Sequence, residues 1–435
     1  MNKTHPDRQT PPPVKPIADL TLATPTVERL RNGIPLYMLH NGQMDLIHIL
    51  IRIRAGILHE PQKHIAHFTY SLLKESSPTL SATETANLLD YHGAHVSYAG
   101  ALDSGTITIS APAGNIPRIL PVIFDFIAHP QFRQERLEVF QNLKIKDLEY
   151  SRRKTDVRST QLLLHTLFGD GYTAGQFSTR ENLRAVTVGQ MQDFHRRTFR
   201  AGSITLFLTG NITPSVGGCV RDLFGQVPEG AAPPAIRDLD LPADPARIVA
   251  EEMPGCVQSS ISLCLVRPGY ASEDRRGFSF LSTLTGGYFG SRLMQSLRER
   301  KGFTYGVSAG SVYFGNQSLF IINSDVNAAH TQAAIDTCFE ELRRLQEEPV
   351  GAEELESVRN YLLGDLIREV DNSVSYMKKY ALWNSFGLDE REFQAMARSI
   401  REMDAEALRT LVKRHFNHNN FTQIIVGDVR NLTKA

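Results

Sequence analysis

Two landmarks recur in this chain at one spacing, and they restrict its fold more than any local pattern does. A helical stretch ending at Phe199 is followed by an apolar run, Ile204-Thr-Leu-Phe-Leu-Thr-Gly210. A second helical stretch ending at Phe416 is followed by Thr422-Gln-Ile-Ile-Val-Gly427. Phe199 to Phe416 and Gly210 to Gly427 both span 217 positions, and HRRTF (195–199) mirrors VKRHF (412–416). Between the copies, residues 228–247 read PEGAAPPAIRDLDLPADPAR, a quarter of them proline. Proline fixes φ and removes a backbone donor, so such a segment suits neither a helix nor a strand ladder. The expectation is two tandem, similar domains, 19–227 and 248–435, joined by a linker at 228–247. A proline-rich loose arm, 1–18, precedes them. A chain of 435 residues also exceeds one ordinary core.

Hydrophobic periodicity then assigns elements of both kinds to each half. In the first half, strands are expected over Leu30–Met38 (interrupted by an Asn-Gly turn), Gln43–Arg54, His95–Ala99, Ser104–Ala111 and Ile204–Gly210. Helices are expected over His64–Glu75, Glu84–Tyr91, Ile116–Ile127 (with Pro121 inside), Glu135–Arg158 and Glu181–Phe199. Ser81-Ala-Thr-Glu84 has the form of a capping box. In the second half the strands are Ser259–Val266, Tyr305–Tyr313, Ser318–Asp325 and Thr422–Gly427. The helices are Arg275–Lys301 with a break at Gly286-Gly287, Ala329–Glu348, Ala352–Asn384 and Ala405–Phe416.

Charge excludes some classes of function. Forty-seven basic residues balance 47 acidic ones, which marks neither a nucleic-acid nor a membrane-surface partner. No run approaches the roughly 18 apolar residues of a membrane span, and the N-terminus has no apolar signal segment. Cys219, Cys256, Cys264 and Cys338 lack C-x-x-C spacing and read as buried thiols of a reducing compartment. Together these point to a cytoplasmic protein.

The chemistry is concentrated in Gly56–Ser71, GILHEPQKHIAHFTYS, where a buried strand gives way to a helix. This stretch resembles the start of the zinc helix of the insulinase and mitochondrial-processing-peptidase family, which carries the inverted motif H-x-x-E-H. Here the five positions are His67, Phe68, Thr69, Tyr70 and Ser71. Tyr70 stands in place of the glutamate base, and a phenol of pKa near 10 cannot take a proton from water at neutral pH. Ser71 stands in place of the second histidine, and a neutral hydroxyl is not a usual zinc ligand. The family's downstream zinc-ligating glutamate falls at Asp147, with Glu149 two residues on. Two positions apart on a helix do not share a face, so both would not reach one metal. His64 and His67 share an i,i+3 spacing, so a substitute site of His64, His67 and Asp147 is one alternative. His92 and His95 have the same spacing but straddle Gly93, where a helix ends.

The second half carries the more specific part of the resemblance. Leu284-Thr-Gly-Gly-Tyr-Phe-Gly-Ser-Arg-Leu293 and Leu297-Arg-Glu-Arg-Lys-Gly-Phe-Thr-Tyr305 are similar to the family's LGG-x-x-x-SRL…LRE-x-x-G-x-x-Y signature. By that resemblance Arg298 and Tyr305 match an arginine and tyrosine that face the catalytic centre. Both are hydrogen-bond donors suited to a peptide carbonyl and its oxyanion.

The resemblance implies an α+β fold of two similar domains, each an antiparallel sheet packed with helices. It implies a non-catalytic subunit with no zinc of its own. Its partner would be a homologous chain with an intact H-x-x-E-H motif and the zinc, and its substrate a peptide. Two other readings stay open: a structural or peptide-binding subunit with no proteolytic role, and a zinc peptidase with rearranged ligands.

Overall fold

The computed structural model describes residues 20–234, 248–416, 418–430 and 432. The arm expected at 1–18 and most of the linker expected at 228–247 lie outside them.

The first half builds a six-stranded sheet. β1 (Thr26–Arg29) and β2 (Pro35–His40) are joined by a tight turn at Asn32-Gly33, where Gly33 takes φ +86°. β3 (Ile47–Ile53) leads into α1 (Ile65–Leu72) and α2 (Ala82–Tyr91). The expected capping box is present at α2: Ser81 Oγ accepts the Glu84 N–H, and Glu84 accepts the Ser81 N–H. The hairpin β4 (His95–Gly100) and β5 (Gly105–Ala111) follows. Then come α3 (Ile116–Ala128), α4 (Gln134–Ser151), α5 (Thr155–Phe168), α6 (Arg180–Arg184), α7 (Val188–Thr198), β6 (Ile204–Gly210) and α8 (Pro214–Phe224). The strand order is β1-β2-β6-β3-β5-β4.

The second half repeats this order with five strands, without a counterpart of β1. β7 (Ile248–Glu252) and β8 (Gln258–Pro268) precede α9 (Arg275–Ser282), whose helical path continues in wide turns to Gly287. Tyr288 is extended, and a second wide-turn helix, Met294–Arg300, leads to β9 (Thr304–Phe314) and β10 (Gln317–Asn327). α10 (Thr331–Glu347), α11 (Ala352–Arg368), α12 (Ser373–Ser385), α13 (Arg391–Glu402), α14 (Ala405–His415) and β11 (Thr422–Gly427) complete it. The strand order is β7-β11-β8-β10-β9. β6 lies parallel to β2 and antiparallel to β3, and β11 lies parallel to β7 and antiparallel to β8. The last strand of each half is therefore inserted in the same way. Gly210 and Gly427 end these strands at φ +116° and +146°, and a Cβ on either would strike the neighbouring chain at Leu46 or Ser259.

Three helices expected to be continuous are each two. The stretch Glu135–Arg158 breaks after Ser151, with Lys154 extended (φ −103°, ψ 125°) ahead of α5. Glu181–Phe199 breaks between α6 and α7, where Thr187 and Gln190 form a new capping box. Ala352–Asn384 breaks before α12, where Asn372 accepts the Val374 and Ser375 N–H groups. Of the four cysteines, Cys264 and Cys338 are buried, whereas Cys219 and Cys256 are only half-buried.

Each sheet packs its own helices on one face and borrows a helix for the other. Ile49, Ile51 and Ile53 point into the first half's core with Phe68, Ile123 and Phe194. Leu50 and Phe207 point the opposite way, as strand alternation requires, and join the second half's core beside Tyr380 of α12. In return, Leu162, Leu163, Leu167 and Phe168 of α5 pack on Cys264, Leu319, Ile424 and Val426 of the second sheet. The breaks before α5 and α12 allow this exchange: each helix must leave the line of its predecessor to reach the other sheet.

Candidate functional site

α1 follows β3 after an eleven-residue connection and forms because apolar Ile65, Phe68 and Leu72 recur at helical spacing and are buried. Its start is fixed by Glu60, which the sequence reading passed over. Glu60 is 7% exposed; one carboxylate oxygen accepts the Ala66 N–H at 2.8 Å and the other the His64 N–H at 3.2 Å. Burial raises its pKa to about 7, against the opposing pull of those N–H groups and of nearby Lys63. His64 occupies the left-handed region (φ +78°), alone among described residues other than glycine, and its Nε2 meets Asn182 Oδ1 at 3.1 Å.

The five motif positions do different things. The His67 ring lies against Phe140 of α4 (5.8 Å between centroids) and Phe68 (6.1 Å). Its rim is open to solvent, yet its lining desolvates it, and with Lys144 nearby its pKa falls to about 4. Tyr70 turns inward. It is 5% exposed, donates its hydroxyl to the Ala55 carbonyl at 2.8 Å and meets the Phe194 ring edge-on. Gly105 makes room for it, since a Cβ there would lie 2.2 Å from the Tyr70 ring. Burial raises the Tyr70 pKa well above the usual phenol value. Ser71 is half-buried.

On α4, Phe140 and Lys144 are one helical turn apart, and Lys144 Nζ stands 5.3 Å over the Phe140 ring. Asp147 is exposed and pairs with Lys144 at 3.6 Å; Glu149 is exposed as well. His64, His67 and Asp147 are thus not assembled into one site, and among the described residues no three His, Cys, Asp or Glu side chains are grouped to hold a metal. His92 ends α2 and His95 begins β4, so neither joins the motif helix.

Arg298 lies in the Met294–Arg300 helix, whose turns are wide: the Lys301 N–H bonds back to the Ser296 carbonyl at 3.2 Å. The guanidinium stands over Phe289 at 5.1 Å and near Glu299 at 3.5 Å, and it is partly exposed. Tyr305, second residue of the edge strand β9, is 87% exposed. Gly302, at φ +64°, turns the chain between the two elements. Both donors are therefore open to a ligand.

A duplicated α+β fold with a motif helix following the third strand defines a metallopeptidase-like class. The model described as insulinase (peptidase family M16) matches residues 38–176, and the one described as peptidase M16 inactive domain matches residues 185–362. The chain belongs to the insulinase family. An uncharacterized zinc protease of Mycobacterium tuberculosis is 21% identical over 366 residues, covering 83% of each chain. The uncharacterized zinc protease YmxG of Bacillus subtilis is 21% identical over 356 residues, covering 80% of this chain and 85% of its own. The fold is shared with a structure described as peptidase M16 inactive domain from Pseudomonas fluorescens (TM-score 0.87, 18% identity, 94% of this chain and 99% of that one). A protease from Helicobacter pylori superimposes with a TM-score of 0.83 at 15% identity, over 93% of this chain and all of that one (100%).

Zinc, which the relatives' names carry, does not fit the residues at α1. His67, a His64 ring whose Nε2 already meets Asn182, a buried phenol bonded to a carbonyl, a serine and a neighbouring ammonium do not make a donor set for a dication.

Proposed function

We propose that this chain is the non-catalytic subunit of a two-chain zinc metallopeptidase, dividing into domains 19–227 and 248–435 about the linker 228–247. Its partner is a homologous chain with an intact H-x-x-E-H helix. The observation behind this reading is the contrast between the halves. In the first, the motif helix is kept while Tyr70 has become core packing. In the second, Arg298 and Tyr305 are left open to a ligand.

The partner's site would supply the metal-activated water. This chain's part is electrostatic. Arg298 offers a planar fork of N–H donors, and Tyr305 offers one O–H donor on the edge strand β9. Aimed at a peptide carbonyl, both gain strength as negative charge develops on its oxygen, which lowers the barrier rather than only tightening binding. The substrate is a peptide or unfolded segment, since the groups address backbone. Cytoplasmic residence belongs to the same proposal; no described helix is long and apolar enough to cross a membrane.

The test is the reconstituted pair. Arg298→Ala and Tyr305→Phe in this chain are each expected to lower kcat/KM about a hundredfold or more, the effect of deleting an oxyanion donor. The partner's zinc content should not change. Unchanged turnover in both variants would favour a structural or peptide-binding subunit instead.

A further inference from the structure

A second site of a different kind lies between the two halves. It is a cleft of about 680 Å³, within the roughly 300–1,000 Å³ of small-ligand sites. Its floor is the face of the first sheet that is turned toward the second half. Arg52 follows Leu50 by two residues on β3 and so shares that face. Its Nη2 meets Asp103 at 3.4 Å, and its side chain is about one-fifth exposed (21%). Arg54 lies just beyond the strand end, held there by its backbone N–H to the Ser203 carbonyl at 2.9 Å. The Arg54 side chain is exposed, and its guanidinium has no partner among the described residues.

The charges in this cleft do not balance. Arg52 and Arg54 are close enough to repel, and among the described residues Asp103 is the one carboxylate lining them. Asp103 is already engaged, accepting Ser104 Oγ at 2.9 Å as well as Arg52. His59 adds no charge: its Nδ1 accepts the Gly56 N–H, its Nε2 faces the Pro234 carbonyl, and burial holds its pKa below the usual range. Ser203, 4% exposed, also lines the cleft, and its Oγ has no hydrogen-bond partner among the described residues. The opposite wall comes from the second half, where Tyr270 and Phe386 stack at 3.9 Å and 6°. Asn384 and Gly387 (φ +75°) close that side.

We propose that this cleft binds the C-terminal carboxylate of a short peptide. One surplus positive charge, in the form of a guanidinium with a free fork, matches one carboxylate. Asp103 in the same cleft disfavours a phosphate dianion, and the stacked aromatic wall offers apolar surface that an inorganic ion would not use. The cleft lies within one chain, so its occupancy does not depend on the partner role proposed above.

The experiment uses the full chain and trialanine labelled with a fluorophore at its amino end. Anisotropy titration is expected to show the free acid binding about tenfold more tightly than the C-terminal amide, the gain of a charge-assisted bond. In Arg54→Gln the acid should fall to the affinity of the amide. Arg54→Lys, which keeps charge without the fork, should recover part of the difference. Thermal melting checks that the exposed substitution leaves the fold intact. Equal binding of acid and amide by the unaltered chain would overturn the proposal, as would an Arg54→Gln chain that binds the acid normally. Displacement of the probe by inorganic phosphate at lower concentration than by unlabelled trialanine would also overturn it, leaving an inorganic-anion site.

Discussion

Tyr70 does more than lack a base's pKa. Its ring fills the space that Gly105 leaves open and its hydroxyl satisfies the Ala55 carbonyl, so the position has been rebuilt as core. Restoring the motif letters should therefore not restore a metal site. In the double substitution Tyr70→Glu with Ser71→His, the new carboxylate would enter a buried apolar space. Lys144 would still stand on the α4 face packed against His67, with Asp147 tied to it at the surface. Metal analysis of the purified double variant should find well below one zinc per chain; stoichiometric zinc would contradict this account. A second residue-scale consequence concerns His48, 3% exposed, with Nδ1 on Ser110 Oγ and Nε2 unpartnered among the described residues. Burial, and secondarily Lys378, lowers its pKa from 6.5 to about 4. Above pH 6.5 it is neutral folded or unfolded. Between pH 6.5 and 4 the unfolded chain binds a proton that the folded chain refuses, so stability falls with falling pH. His48 accounts for about 3 kcal/mol of that loss. Urea denaturation at pH 7 and pH 4.5 should show a shallower pH dependence for His48→Gln than for the unaltered chain. At this scale the sequence displayed which residue types stand at the motif positions, because residue type is read from it directly. It did not disclose Glu60 or Lys144. Their importance comes from which helix face meets which, whereas Asp147, reached by counting along the chain, lies on the exposed surface of α4.

At the scale of elements, α5 and α12 hold the molecule together, and neither start was read correctly. Ser151-Arg-Arg-Lys-Thr155 contains no glycine or proline, so nothing local announces that α4 ends there. The break is imposed by tertiary packing, with α5 drawn to the second sheet. Asp371-Asn-Ser373 did carry a cap signal, but the apolar pattern ran through it. The missed α8 likewise had a readable start, with Thr213 capping Val216 and Pro214 in its first turn. Strand positions were recovered better, because alternation and flanking turns are local properties. The weight carried by α5 can be measured at Phe168, 5% exposed and 5.6 Å from the Phe314 ring across the exchange. Phe168→Ala should cost about 3–5 kcal/mol, the range for truncating a buried aromatic. Chemical denaturation would measure it. A loss under 1 kcal/mol would mean that this contact does not carry the packing assigned to it.

At the scale of the whole molecule, the duplication was legible because it survives in two landmarks, Phe199/Phe416 and Gly210/Gly427, that sit at matching points of the fold. Both phenylalanines leave a helix with non-helical angles, and both glycines end an inserted strand with positive φ. The exchange of helices was not legible, because a period of 217 says that two units exist and nothing about how they dock. Physically the exchange makes the two domains interdependent. Without α12, the first sheet would present Leu50 and Phe207 to water. Without the second sheet, α5 would expose Leu162, Leu163, Leu167 and Phe168. At about 25 cal/mol per Å² of apolar surface, several such side chains amount to a substantial part of a domain's net stability of roughly 5–15 kcal/mol. The halves should therefore not behave as independent beads on the linker. Residues 19–227 expressed alone should be aggregated or largely unfolded by circular dichroism and gel filtration. Coexpression with residues 248–435 as a separate chain should give a soluble one-to-one complex, because the docking surfaces do not require the peptide connection. If the isolated first half is monomeric and unfolds cooperatively at the temperature of the full chain, the borrowed helix is not a structural requirement, and the cleft lined by Arg52 and Tyr270 would lose the rigid frame that its ligand specificity needs.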